Sequence, residues 1–212
     1  MALDRYQNSG FLAIGLVETR DLRPSFLPAA LGMNFFLAGY RIFARDTTAT
    51  RRCLRGLKIL RSDTDRRLME LMGKVLTHYG YARSQWSVRR DDRQFEIRVK
   101  TADGEADLGV EADLANRDAS LPPGSPFHDW REARRFAGPL PFTFDYEEQT
   151  HSIIRVEGVR QNWNPRPVVV SVRRNSFLEH GPFRGAGAVL ASAFYLDDVA
   201  YRWRRGVCEQ LS

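Results

Sequence analysis

The chain has 212 residues, of which 43% are hydrophobic and 27% are charged. This length and composition are typical of a globular protein, and we expect residues 1–212 to form a single domain. No apolar run approaches the roughly 20 residues that cross a bilayer, and the N-terminus lacks the apolar segment of a signal peptide. These observations predict a cytoplasmic protein without a membrane partner.

The formal net charge is +6, and nearly all of the basic residues are arginines. Lys58, Lys74 and Lys100 are the only lysines among 32 basic residues, which leaves 29 arginines. Because arginine binds phosphates and carboxylates through paired hydrogen bonds, nucleic acid and small anions are both candidate partners. The arginines are interleaved with acids, as in residues 89–93, instead of forming one basic stripe, and this disfavours nucleic acid.

Cysteine and histidine supply no recognisable chemical motif. Cys53 and Cys208 are too few for a disulfide framework, so we expect buried free thiols in a reducing compartment, and the sequence leaves open whether they meet. None of the four histidines stands in a metal-ligand spacing, and there is no Gly-x-Ser-x-Gly elbow. The sequence therefore predicts neither a metal site nor a cofactor.

Most of the chain predicts antiparallel strands. Asp103-Gly104 provides a hairpin turn, and Asp129 is placed to cap a short helix over residues 130–136. Many short strands with few helices are typical of a barrel or a sandwich. The predicted strands are 11–18, 33–45, 51–60, 82–88, 94–100, 108–114, 142–146, 152–159, 168–172 and 188–194.

One longer amphipathic helix is predicted over residues 62–79. Ser62 can accept a hydrogen bond from the first turn, and Asp65 three residues later resembles the second member of a capping box. Apolar side chains then follow at spacings of three and four, and Gly80 is placed to end the helix. The helix leads into the segment that contains Tyr81 and Arg83.

The order of these elements is informative between about residues 11 and 203. The predicted order is a strand, an aromatic strand, a strand containing Arg55-Gly56, the capped helix, the Gly80-Tyr81 segment and a hairpin. This order resembles the acetoacetate decarboxylase-like superfamily, and within it the uncharacterised YqjF-like family. The resemblance implies a mainly β (α+β) fold, a conical antiparallel β-barrel with one long helix, one short helix and a ligand-sized interior.

The resemblance also indicates which activity is missing. Acetoacetate decarboxylases use a Schiff-base lysine in a Gly-aromatic-Pro-Lys-Lys segment after the helix. Those positions match residues 80–84, so the nucleophile is replaced by Arg83, whose guanidinium keeps its proton and forms no imine. The acidic residue that follows an asparagine on the second strand is also absent, because the matching pair is Asn34-Phe35. Acetoacetate decarboxylase activity is therefore not expected.

The first functional hypothesis is a binding barrel that takes a small anionic or amphiphilic ligand, such as a carboxylate or a ketone. Arg83 at the mouth of the pocket would contact a carboxylate, since arginine keeps the positive charge of the lysine that it replaces. The residues assigned to this site are Arg83, Tyr81, Tyr40, Asn34, Glu96 and Glu111.

Other readings remain open. Arg83 can instead form an ordinary ion pair with Glu96 or Glu111. The chain can also be an enzyme, a lyase or hydrolase acting on a small oxo or carboxylic acid, with Glu96, Glu111 or His78 as acid or base. Aromatic and basic residues near Tyr201 suit either base stacking or the cover of a barrel end. Whether the protein forms a homo-oligomer is not determined by the sequence.

Overall fold

Strands dominate the computed structural model, which describes residues 1–23, 28–72, 80–116 and 120–210. The first six strands are β1 (Ala2–Leu3), β2 (Arg5–Tyr6), β3 (Ser9–Gly10), β4 (Leu12–Leu22), β5 (Met33–Thr47) and β6 (Cys53–Thr64). The next five are β7 (Tyr81–Arg90), β8 (Gln94–Thr101), β9 (Leu108–Asp113), β10 (Phe142–Glu147) and β11 (Ser152–Gln161). The last five are β12 (Arg166–Pro167), β13 (Val169–Asn175), β14 (Phe194–Tyr195), β15 (Ala200–Trp203) and β16 (Val207–Gln210).

Helices are short in the described ranges. They are α1 (Arg67–Met72), α2 (Trp130–Ala137) and α3 (Ser176–Glu179). The short helix predicted after Asp129 is confirmed as α2, and the Asp129 carboxylate accepts a hydrogen bond from the Glu132 amide at 2.7 Å. No helix in these ranges is both long and apolar enough to span a membrane.

The main sheet divides at β6. One edge of β6 pairs antiparallel with β5, from Cys53 opposite Thr47 to Thr64 opposite Leu37. The other edge is shared, because β10 pairs in parallel with residues 56–58 and β7 pairs in parallel with residues 62–64. We call this division the fork. The first wing runs through β7, β8, β9 and β13, and the second wing contains β10, β11, β15 and β16.

The mainly β prediction is confirmed, but the described strands do not show the expected closed antiparallel barrel. The path of paired strands ends at β13 in the first wing and at β15 in the second wing. Two pairings of β6, with β10 and with β7, are parallel, so both wings start from the same edge of β6 and the sheet departs from a purely antiparallel pattern. The structure therefore shows a large mixed sheet with three described α-helices where two helices were expected.

The predicted start of the long helix is wrong. Ser62, Asp63 and Thr64 are buried as the last residues of β6, and α1 begins at Arg67. Pairing with β5 and the ion pair between Asp63 and Arg61, at 2.8 Å, outweigh the local capping pattern. The remainder of the predicted helix, residues 73–79, lies outside the described residues.

Two further predictions are corrected. The strand expected over residues 188–194 is reduced to the two-residue β14, which pairs with β12. Cys53 and Cys208 are free as expected, but both are exposed, so the prediction of buried thiols is wrong. The next residue, Leu54, takes the inward position of β6 and packs with Ala44 and Phe144.

Candidate functional site

Arg83 lies in β7 beside the fork, opposite Thr64 of β6. Its carbonyl accepts a hydrogen bond from the Ala102 amide at 3.1 Å, so the strand backbone is fixed at this point. Its Nη1 atom is buried and has no hydrogen-bond partner among the residues that the structure describes. A buried donor left in this way costs about 1–3 kcal/mol, and an anionic group that reached it would recover that energy.

The two carboxylates considered as partners of Arg83 are engaged elsewhere in the first wing. Glu96 and Glu111 lie opposite each other on β8 and β9. Glu96 pairs with Arg98, and Glu111 pairs with Arg173 at 2.8 Å. Hydrogen bonding from Arg173 lowers the pKa of the Glu111 carboxyl group. No ion pair within the described ranges joins either glutamate to Arg83.

Tyr40 and Asn34 use their polar groups within the protein. Tyr40 is fully buried, stacks on Phe177 with ring centroids 4.3 Å apart, and donates its hydroxyl to the Ala106 carbonyl at 3.2 Å. Burial raises the pKa of Tyr40 well above its ordinary value. Asn34 is exposed, and its side-chain carbonyl accepts from the Asp21 amide at 2.7 Å. Tyr40 is thus a core residue with a satisfied hydroxyl.

Arg41, the neighbour of Tyr40, lies on the opposite face of β5 and was not predicted as a site residue. Its guanidinium folds back over Gly39, where a β-carbon would stand 2.9 Å from Cζ. A β-carbon on Gly15 would stand 3.5 Å from Nη1. Since Gly15 and Gly39 are cross-strand partners on β4 and β5, they form a shallow bed that holds the arginine against the sheet.

Two tyrosines lie within electrostatic reach of Arg41. Tyr81 is the first residue of β7, and Tyr201 belongs to β15 of the second wing. Burial raises the pKa of both phenols, and the positive charge of Arg41 acts in the opposite direction on each. We call Arg41, Tyr81 and Tyr201 the Arg41 cluster. Its three residues belong to β5, to β7 of the first wing and to β15 of the second wing.

Arg160 borders the cluster on the side of Tyr201. Its Cζ lies 5.1 Å from the Tyr201 ring centroid and 5.3 Å from the Trp163 ring centroid, and its Nη1 donates to the Leu140 carbonyl at 2.9 Å. The Trp163 Nε1 donor is buried and has no hydrogen-bond partner in the described part of the chain. Arginine and aromatic rings at this spacing attract each other through cation–π interactions.

Tyr201 is enclosed at one end and open at the other. The residue keeps 37% of its surface exposed, yet its hydroxyl end rests on Gly158 of β11. A β-carbon on Gly158 would stand 2.8 Å from the phenol Cζ. Burial raises the pKa of the Tyr201 phenol, in agreement with the packing of its hydroxyl end on Gly158. The Tyr201 ring also packs edge-on against Trp203, with ring centroids 5.1 Å apart.

The carboxylates buried in the described core are all paired with arginine. None of the four buried aspartates is therefore placed as an isolated general base. The pairs are Asp4 with Arg45 and Arg55, Asp46 with Arg155, Asp63 with Arg61, and Asp107 with Arg174. His78, the remaining acid–base candidate, lies outside the described residues. No group of three potential metal ligands occurs within the described ranges.

Comparison with known proteins gives a distant structural likeness. No protein-family model matches the chain, and no curated protein matches it. It is similar to the crystal structure of acetoacetate decarboxylase from Legionella pneumophila subsp. pneumophila str. Philadelphia 1, with 8% sequence identity and a TM-score of 0.44. The match covers 68% of this chain and 54% of that enzyme, so it spans about half the length of the decarboxylase. Membership of the YqjF-like family stays a prediction.

Proposed function

We propose that the protein is a cytoplasmic, cofactor-independent binder of a small anionic or amphiphilic ligand, which it holds beside the fork. The observation that carries this proposal is the buried Nη1 of Arg83, which has no hydrogen-bond partner among the described residues. A hydrogen bond to a charged group contributes about 1.5–3 kcal/mol, more than a bond between neutral groups. A carboxylate is therefore the group that this position would bind most strongly.

The surroundings of Arg83 fit a ligand with an apolar part. Tyr81 projects from the same face of β7 two residues earlier and is half-buried. Tyr201 of the Arg41 cluster, which is 37% exposed, adds a second aromatic side chain. A small carboxylate or keto acid with a short carbon chain would place its charge on arginine and its chain against these rings. This combination is the one expected for an amphiphilic ligand.

Binding explains the site better than acid–base catalysis by the residues named for it. Glu96 and Glu111 are both paired with arginines in the first wing, and Arg173 keeps the pKa of Glu111 low. A carboxylate with a lowered pKa is a weak base at neutral pH. A lyase or hydrolase acting on a small oxo or carboxylic acid remains the alternative, and it would need a group other than these two glutamates.

Nucleic acid is a less suitable partner than a small anion. The ion pairs of the described chain distribute arginines over both wings and beside acids, as in Arg98 with Glu96 and Arg204 with Glu157. Such pairing reduces the positive charge that remains for phosphates. Weak retention on heparin at physiological salt would agree with this expectation.

The test is a thermal-shift screen of the purified protein against small carboxylates and ketones, followed by native mass spectrometry. A ligand that binds the folded state raises the melting temperature. Arg83→Gln should weaken binding about tenfold or more, the loss of one charged hydrogen bond. Arg89→Gln, at an exposed position of the same strand, is the matched control and should leave binding unchanged. If no carboxylate raises the melting temperature, the proposed function is wrong.

A borohydride experiment separates binding from Schiff-base chemistry. With a ketone and borohydride present, the protein should gain no covalent adduct, because Arg83 forms no imine. The intact mass of the protein reports the result directly. An adduct on Lys58, Lys74 or Lys100 would instead show a nucleophilic lysine and would favour the enzyme alternative.

A further inference from the structure

We propose that the ligand carries two anionic groups, a dicarboxylate being the simplest case, with one group at Arg83 and the other at the Arg41 cluster. This inference rests on the proposed function and adds the chemical class of the ligand. It requires two positively charged positions on one face of the site, separated by the length of a short carbon chain.

The strand geometry provides that separation. Tyr81 and Arg83 project from the same face of β7, and two residues of a strand span about 7 Å. The guanidinium of Arg41 lies over Gly39, which pairs with Ser62 of β6, and Ser62 pairs with Tyr81, so the charge of Arg41 belongs to the Tyr81 end of this face. The buried Nη1 of Arg83 marks the other end. The guanidinium groups of Arg41 and Arg83 therefore come from different strands, and they lie at two points, the two ends of the face that carries Tyr81 and Arg83.

The Gly15–Gly39 bed supports the second point. It holds the guanidinium of Arg41 close to the backbone, with Cζ 2.9 Å and Nη1 3.5 Å from the positions that β-carbons would occupy. A side chain held in one orientation loses less conformational entropy when it binds, and this favours affinity. Arginine also presents two parallel donors, which match the two oxygens of a carboxylate.

The phenols complete the second point as donors. Tyr81 and Tyr201 are protonated at neutral pH, and burial strengthens this state by raising their pKa values. A protonated phenol donates one hydrogen bond. A carboxylate at Arg41 could therefore accept from the guanidinium and from the Tyr81 hydroxyl. A monocarboxylate would use one of the two points, whereas a dicarboxylate would use both.

The experiment compares acids of equal chain length by isothermal titration calorimetry at constant ionic strength. Succinate, glutarate and adipate are each titrated beside butyrate, valerate and caproate. The best diacid should bind at least about tenfold tighter than the monoacid of its length, the effect of one further charged contact. In Arg41→Gln this preference should disappear, because a diacid would then have one charged contact, as a monoacid does.

Other variants and outcomes keep the test decisive. Arg89→Gln should retain the diacid preference, and Tyr81→Phe should reduce it without loss of the fold, which circular dichroism checks. Equal affinity for diacids and monoacids in the unaltered protein would overturn the inference and leave the proposed function intact. An equal loss for all acids in Arg41→Gln would also overturn it. Failure of every acid to bind would overturn the proposed function itself.

Discussion

Gly39 lies directly beneath the guanidinium of Arg41, so close that a β-carbon there would stand 2.9 Å from Cζ. The colliding atoms belong to the far end of a flexible side chain and not to the backbone. Gly39→Ala should therefore displace Arg41 while changing the free energy of unfolding by less than about 1 kcal/mol. Binding of the best diacid should fall to the level of the matching monoacid. Urea unfolding and calorimetry measure the two effects separately.

Gly15→Ala is the matched control, because its β-carbon would meet Nη1 at 3.5 Å, an ordinary van der Waals distance. It should change neither stability nor ligand preference. If Gly39→Ala kept the full diacid preference, the bed would have no part in orienting Arg41.

The tyrosines of the Arg41 cluster should report the charges beside them. Arg41→Gln should raise the pKa values of both Tyr81 and Tyr201, because Arg41 lowers both. Arg160→Gln should raise the pKa of Tyr201, since Arg160 acts on that phenol. Carbon-13 NMR of labelled tyrosine rings, assigned with Tyr81→Phe and Tyr201→Phe, measures each titration. A Tyr81 pKa that is unchanged in Arg41→Gln would place Arg41 away from the cluster.

The same phenols predict the effect of alkaline pH on stability. Their pKa values are raised in the folded state, whereas the pKa of tyrosine in an unfolded chain is about 10. The folded protein therefore holds these protons more tightly, and their contribution is fully present below about pH 10 and is lost as pH rises through the folded pKa values. Urea midpoints measured from pH 8 to pH 11 should fall less in Tyr81→Phe than in the unaltered protein.

Gly56 should be far less tolerant than Gly39. A β-carbon on Gly56 would stand 2.5 Å from the Phe142 carbonyl oxygen and 2.6 Å from Cε2 of Phe144. The carbonyl belongs to β10, so relief would require β6 and β10 to separate at the fork. Gly56→Ala should lower the free energy of unfolding by about 2–3 kcal/mol. Gly109→Ala, with its nearest atom at 3.6 Å, is the control and should change it little.

The alternation of polar and apolar residues allowed most strands of the two wings to be predicted. The position of Asp129 before a short helix allowed its cap to be predicted. Such local patterns failed where long-range pairing decides the outcome. The Ser62 and Asp65 pattern favours a helix start, but β5 and Arg61 keep residues 62–64 in β6. Local sequence carries no information about such a partner.

The candidate site was predicted only in part for the same reason. Arg83 and Tyr81 follow from the resemblance and Tyr40 from the aromatic strand, whereas no sequence pattern distinguishes Arg41. Choosing between adjacent residues of a strand requires knowing which face meets the ligand. The glycine bed under Arg41 is formed by residues 15 and 39 of different strands, so its signal exists only after β4 and β5 have paired.

We expect the fork at β6 to set an order of assembly as well. Strands β7, β8 and β9 follow one another along the chain, so their pairings are local, whereas β10 must return from residue 142 to residue 56. Distant contacts form more slowly, because the intervening loop must first be closed. Until β10 pairs with β6, the backbone edge of residues 56–58 is unpaired, and another strand can bind there. A chain arrested at that stage would be the species most exposed to aggregation and to rescue by chaperones.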